Sequence, residues 1–428
     1  MRENELVIYR SFLEDELFQN MAWLMNNYRD EYYNMEDKVN LYYDCLHKLF
    51  DIAASHDFCG NIWHCYLANL LVNSENCYSM AAEERGEPVG SINIATLHDI
   101  QVLKQFYDFD FNSMLDFLGV SGFEMIENYE KDDKAGKIYN TRISNRICEL
   151  AKRMAADSSA AEMKDSLTQF YKEYGVGRFG LHKSFRIVHS GEDVIIEPIL
   201  NIAHVHFDDL IGYEQAKAKL IENTDAFVAG KRANNCLLFG DAGTGKSSCI
   251  KALANEYYER GLRIIEVYKH QFQDLHGVIS QIKNRNYKFI IYMDDLSFED
   301  FEIEYKYLKA VIEGGMEKRP ENVLIYATSN RRHLIRENYT DKEEIRVDMH
   351  TGDTVQEKLS LAYRFGVTIY FGKPSPKEFQ TIVTTLAKRA GIDMPEEELL
   401  SEANKWELSH GGISGRTASQ FIDYLLGK

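Results

Sequence analysis

Apolar residues recur at three- and four-residue spacing through the first 185 positions, as in Leu13, Leu17, Met21 and Leu24. That period predicts amphipathic helices. Ser159 and Glu162 form a capping-box pattern before a helix expected to end near Gly175. Lys131 to Gly136 reads as a loop, and the glycine-punctuated stretch Tyr174–Gly180 as a hinge or connector. Over 186–200 the positions Val188, Val194 and Ile196 alternate enough for a small hairpin. From about 204 the pattern changes to short apolar runs separated by helical stretches. Strands are expected at 235–239, 262–267, 288–293, 322–327 and 367–371. After Pro374, three short helices are divided at Gly391 and at Gly411-Gly412.

The expected fold class is therefore α/β. A mostly helical N-terminal domain spans 1–185 and a connector 186–203. A core with a five-stranded parallel sheet spans 204–375, and a small helical lid 376–428. No internal repeat or low-complexity segment interrupts this order.

Composition narrows the function classes. At 428 residues, with 45% hydrophobic and 12% aromatic content, the chain can fill two or three packed cores. A formal net charge of −18 disfavours broad nucleic-acid binding, because neutralising phosphates needs a basic surface. An odd set of seven cysteines without small-domain spacing points to reduced thiols. Charges at Arg2, Glu3 and Glu5 stand where a signal peptide needs an apolar core, and no apolar run approaches the ~20 residues that cross a bilayer. The expectation is a cytoplasmic protein with no membrane partner.

The chemistry concentrates in Gly240-Asp241-Ala242-Gly243-Thr244-Gly245-Lys246-Ser247, which satisfies G-x-x-x-x-G-K-[ST], with Ser248 following on the helix. An apolar strand precedes it, and a helix expected over 246–260 follows, stopped by Gly261. Glycines let successive N–H groups turn into one concavity, and the helix N-terminus adds positive potential. Lys246 is expected to reach the β- and γ-phosphates of a nucleoside triphosphate, and the Ser247 hydroxyl to ligate Mg²⁺. A helix dipole supplies only ~0.3–1 kcal/mol, whereas micromolar binding needs about 8 kcal/mol. The backbone contacts and Lys246 must carry the difference.

Two further elements fit that loop. Phe289-Ile290-Ile291-Tyr292-Met293 ends in Asp294 and Asp295. Asp294 is expected to hold Mg²⁺ through water, and Asp295 to polarise the attacking water. Asn330 closes the fourth strand, at the carboxyl edge that faces a ligand crevice. It either orients the lytic water and senses the γ-phosphate or is an ordinary cap or turn asparagine.

Together these motifs resemble the AAA+ ATPase superfamily. Asn234 to Asp241, Asp294-Asp295-Leu296-Ser297-Phe298, Ala327 to Ile335, Glu357 to Leu361 and Ser414-Gly415-Arg416-Thr417-Ala418 look more closely like an uncharacterised bacterial AAA+ family, domain of unknown function 815. The likeness is strong over about 204–428. It implies ATP as the nucleotide, and Asp209-Leu210-Ile211-Gly212-Tyr213 as the adenine-pocket segment, with Ile211 and Gly212 as contacts. It also implies Arg364 as an arginine finger acting on a neighbouring subunit, with Arg331 and Arg332 as rivals, and Arg416 as the lid's phosphate sensor. For either Arg364 or Arg416 the alternative is an ordinary ion pair. Most relatives carry Asp-Glu where this chain has Asp294-Asp295, which implies slower turnover.

The expected function is MgATP binding with slow, assembly-dependent hydrolysis in a homo-oligomer, driving remodelling of an unknown protein client. The competitor is a nucleotide-gated binding switch with negligible hydrolysis, and a nucleic-acid remodeller is a third. Other signals are set aside. His56, Cys59, His64 and Cys65 match no common zinc spacing. Asn404-Lys405-Trp406-Glu407 lies in the lid and is no base-reading motif. Tyr268-Lys269-His270 lacks the pattern of a threading loop, and 341–353 reads as a solvated acidic loop.

Overall fold

In the computed structural model, residues 2–121, 123–130, 141–191, 193–298, 304–313, 320–330, 334 and 361–427 are described. The expected loops at 131–136 and 341–353, the rival arginines Arg331 and Arg332, and Glu357 to Ser360 lie outside them. Two compact units are present, Met1–Leu181 and His182–Lys428.

The first unit is helical, as the periodicity requires. Its core is rich in aromatic rings, and several of their polar atoms find partners inside. Trp63 Nε1 donates to Phe106 O at 2.9 Å, and Tyr171 Oη to Leu71 O at 2.7 Å. The N-terminal segment is pinned by Asp99, a fully buried carboxylate that accepts the N–H groups of Val7, Ile8 and Tyr9. The capping pattern at Ser159 is half as expected. Ser159 Oγ accepts the Glu162 N–H, but the Glu162 carboxylate takes the N–H of Ser158 rather than that of Ser159.

In the second unit the five expected strands lie side by side in one sheet: β3 (Cys236–Gly240), β4 (Leu262–Glu266), β5 (Lys288–Met293), β6 (Val323–Ser329) and β7 (Val367–Phe371). All pair in parallel. The stretch expected as a connector is instead part of this sheet. Strand β1 (Ser184–Ser190) runs parallel to β4, and β2 (Asp193–Pro198) closes it antiparallel, giving seven strands in the order β2-β1-β4-β5-β6-β3-β7. Without the hairpin, β4 would present an unpaired edge. The inward positions are Phe185, Ile187 and Ile196, so the core face of β1 is one residue out of step with the expected Val188.

The loop helix runs Lys246–Glu256 and finishes in a 3₁₀ turn, Tyr258–Arg260, before Gly261. Three helices, Pro376–Arg389, Glu396–Ser409 and Gly415–Leu426, build a separate small core around Phe379, Val383, Leu399 and Phe421. The first carries a capping box, Ser375 with Glu378, and Pro376 at its first turn. Among the described residues no helix is long and apolar enough to cross a membrane.

Gly240, at the end of β3, adopts φ 139°, and a Cβ there would meet Phe371 O of β7 at 2.0 Å. Gly240→Ala should therefore cost at least about 2 kcal/mol and lower the melting temperature by several degrees, read by circular dichroism. An unchanged melt would mean that β3 and β7 part freely.

Candidate functional site

The carboxyl ends of β3, β5 and β6 open onto one cavity of about 570 Å³, within the range of small-molecule sites. One end of it is the glycine-rich loop between β3 and the helix Lys246–Glu256. Gly243 and Gly245 take φ values of 74° and 89°, which only glycine adopts without strain. Ala242 to Ser248 line the cavity, while Gly240 and Asp241 frame it from behind. The Asp241 N–H donates to Phe371 O at 3.0 Å, and its carboxylate accepts the Lys373 N–H at 3.0 Å. Asp241 thus acts on the protein frame.

Lys246 is only 7% exposed, and its ammonium is held by oxygen alone. It donates to Gly240 O at 3.0 Å, Asp241 O at 2.6 Å and Asn330 Oδ1 at 3.1 Å. Burial lowers its pKa below the usual lysine value, against the upward pull of Asp241, Asp295 and Asp294.

Asp294 is the most heavily donated group in the site. Ser247 Oγ and Tyr292 Oη each donate to its Oδ1 at 2.7 Å, and Thr328 Oγ1 donates to the same atom. Desolvation would raise its pKa, but the hydroxyls of Thr328, Tyr292 and Ser247 outweigh it, and the carboxyl lies below its ordinary value. Among the described residues no group of three or more His, Cys, Asp or Glu could hold a metal. A hydroxyl beside one carboxylate fits Mg²⁺, which is bound by few protein oxygens and completed by phosphate and water.

Asp295 occupies the left-handed region at φ 48°. The conformation is uncommon for a non-glycine residue, although aspartate tolerates it better than most. Its N–H donates to Thr328 Oγ1 at 3.0 Å and its Oδ1 accepts Asn330 Nδ2 at 2.7 Å. Asn330 therefore joins Lys246 to Asp295 through the two ends of one amide.

The other end of the cavity is apolar. Leu210, Ile211, Tyr213, Phe371, Ile382 and Leu386 line it, with the rings of Tyr213 and Phe371 at 5.5 Å. Ile211 also packs against the lid core. Gly212, between Ile211 and Tyr213, turns the chain at φ 84°. Arg416 lines the cavity from the lid, and its N–H donates to Gly243 O at 3.2 Å. Arg364 does not join these residues. It lies in the turn before β7, its N–H on Leu361 O at 3.2 Å, outside the cavity lining.

Tyr292 and Thr328 were missed by sequence reasoning, as was Lys217, whose ammonium donates to Leu210 O at 2.7 Å beside the cavity. A signal existed for the first two. Each stands two residues before a singled-out residue, Asp294 or Asn330, and so on the same face of an extended chain. The set-aside histidines have local partners: His64 Nε2 pairs with Tyr107 O at 2.9 Å, and His56 Nδ1 with Ile52 O at 3.1 Å.

A family described as "Protein of unknown function (DUF815)" matches residues 181–428. No curated protein matches the chain. Among solved structures, a proline-to-glycine mutant of Thermotoga maritima RuvB is 15% identical, with a TM-score of 0.37, covering 52% of this chain and 65% of that one. A second, the Thermotoga maritima RuvB Holliday junction branch migration motor, is 14% identical, with a TM-score of 0.33, covering 51% and 72%. The chain thus spans just under two thirds of the first of these structures.

The Asp294 hydroxyl cluster sets a pH dependence. Its folded pKa is depressed, so its contribution to stability is complete above the unfolded value, about 3.9. That contribution is lost as pH falls through the folded value. Thr328→Val removes one donor to Asp294 and also the acceptor of the Asp295 N–H, of which only the first loss varies with pH. Because Asp294 is exposed and its charge is screened, the loss should be no more than about 1 kcal/mol at neutral pH. It should shrink on acidification below about pH 4. Urea unfolding at the two pH values measures it, and a gap that stays constant would place the role of Thr328 in packing.

Proposed function

We propose, for a chain that belongs to the DUF815 family of proteins of unknown function, the activity of a MgATP-binding AAA+ ATPase with slow, assembly-dependent turnover. The observation that supports this reading is the convergence of Lys246, Ser247, Asp294, Asp295 and Asn330 at one end of a cavity whose other end is apolar. Lys246 exchanges its main-chain oxygens for the β- and γ-phosphates. Ser247 and Asp294 hold Mg²⁺, which offsets charge on the phosphate oxygens. Asp295 orients and polarises the attacking water. Asn330 positions Asp295 and senses the γ-phosphate. Ile211 and its apolar neighbours take the adenine.

Arg416 reaches the phosphates of its own subunit from the lid. Arg364, standing outside the cavity, serves the site of the next subunit in a homo-oligomer. The work is done on an unidentified protein client. The acidic balance of −18 argues against nucleic acid as that client. Seven free cysteines accord with a cytoplasmic location.

One observation favours a second reading, a nucleotide-gated switch. Asp295 is one methylene shorter than the usual glutamate and is already engaged by Asn330 at 2.7 Å, so it must be shared or released before it can serve water. Phosphate release measured against protein concentration separates the two. For the ATPase, specific activity rises with concentration, and Arg364→Ala costs about 10³-fold or more. Asp295→Asn loses about 10²-fold in turnover while binding MgATP, and Lys246→Ala loses binding itself. Flat, near-zero turnover with tight MgATP binding would replace the enzyme with the switch.

A further inference from the structure

Three of the seven cysteines meet inside the N-terminal unit, Cys59 and Cys65 from one stretch and Cys148 from 83 residues beyond Cys65. Cys65 lies on the helix Ile62–Asn73 and Cys148 on the helix Thr141–Ala156. Their sulfurs approach to 3.7 Å across that helix pair, and both residues are buried. The Cys65 thiol also lies 3.6 Å from the Cys59 carbonyl, and Cys59 itself is partly exposed. Buried cysteines are commonly apolar filler, but filler does not require two thiols in contact with a third at the wall. Lys152, one turn beyond Cys148 on the same helix, brings its side chain alongside Gly60, next to Cys59. Its charge acts on the Cys65 thiol, opposing the upward push of the Cys148 contact and of burial.

We propose that Cys65 and Cys148 are the site of a reversible disulfide formed by reaction with a hydroperoxide. The Cys148 thiolate attacks the distal peroxide oxygen. The O–O bond breaks, giving a sulfenic acid on Cys148 and an alkoxide, or hydroxide from hydrogen peroxide, that takes up the thiol proton. The Cys65 sulfur then attacks the sulfenyl sulfur. The S–O bond breaks, water departs carrying the Cys65 proton, and the S–S bond forms. Two thiols give up two electrons and the hydroperoxide accepts them.

The polarity of the pair agrees with this order. The Cys65 hydrogen bond, aided by Cys59, holds the Cys148 thiol below its ordinary pKa against burial, while the same contact and burial push Cys65 up. The sulfurs stand at 3.7 Å, against the disulfide length of about 2.05 Å. The bond would tie positions 83 residues apart, a span over which a cross-link restricts the unfolded chain strongly. The oxidised unit should therefore melt higher than the reduced one.

The test uses the full-length protein treated with hydrogen peroxide, alkylated and mapped by mass spectrometry. The expected result is a linked peptide pair carrying Cys65 and Cys148. Cys45, Cys59, Cys77, Cys236 and Cys249 should be found alkylated, and dithiothreitol should restore both thiols and the lower melting temperature. In Cys65→Ser the link should vanish and Cys148 should accumulate as a sulfenic acid captured by dimedone. Retention of all seven thiols would overturn the proposal. So would a link through Cys59 or Cys77 in place of Cys65, or over-oxidation of unlinked Cys148 in the unsubstituted protein. The mapping of that protein decides the matter even if the serine variant fails to fold.

Discussion

The parallel register of three neighbouring strands governs the candidate site. Met293 of β5 pairs with Ala327 of β6, and Ser329 of β6 with Phe239 of β3. One step beyond those pairs, Asp294 falls beside Thr328, and the start of the glycine-rich loop beside Asn330. Side chains 47 and 84 residues apart in sequence thereby reach hydrogen-bond distance. A one-residue slip would turn the alternate side chains to the other face, and the contacts of Asp294 and Lys246 would be lost together. Rigid strands are a better platform for such spacing than loops.

The polar groups at that edge are arranged around unequal solvation. Lys246 is deprived of water and receives three oxygens in exchange. Asp294 is open to solvent yet collects three hydroxyls on one atom. Asp295 carries the left-handed backbone, a conformation that costs of order 1 kcal/mol in less tolerant residues. Its neighbours Thr328 and Asn330 over-determine it. Opposite charges are thus kept apart by neutral hydrogen-bonding groups, which prevents Lys246 from collapsing onto either carboxylate.

Much of this was readable in the sequence. The phosphate-binding loop, the paired aspartates and Asn330 are local strings, and short apolar runs located every central strand within a residue or two. Where inference failed, the determinant was non-local. Nothing near 186–200 says that β1 pairs with a strand starting at Leu262, so the hairpin looked like a connector and its inward face was misjudged at Val188. Tyr292 looks like an ordinary apolar strand residue until the side chains sharing its edge are known. Glu162 shows a local ambiguity too: Ser158 and Ser159 offer adjacent N–H groups, and the pattern alone does not say which one the carboxylate takes.

Asp241 carries a mechanical consequence. Its main chain is hydrogen-bonded to the last residue of β7, and its carboxylate to Lys373, two residues before the cap of the first lid helix. That short link is the fulcrum of the lid, and it is clamped to the loop beside Lys246. Arg416 N–H on Gly243 O makes a second clamp at the far side. A lid swinging on this pivot cannot move as an independent flap. Any displacement of these helices would be passed to the backbone around Lys246, so the loop and the helices form one mechanical element.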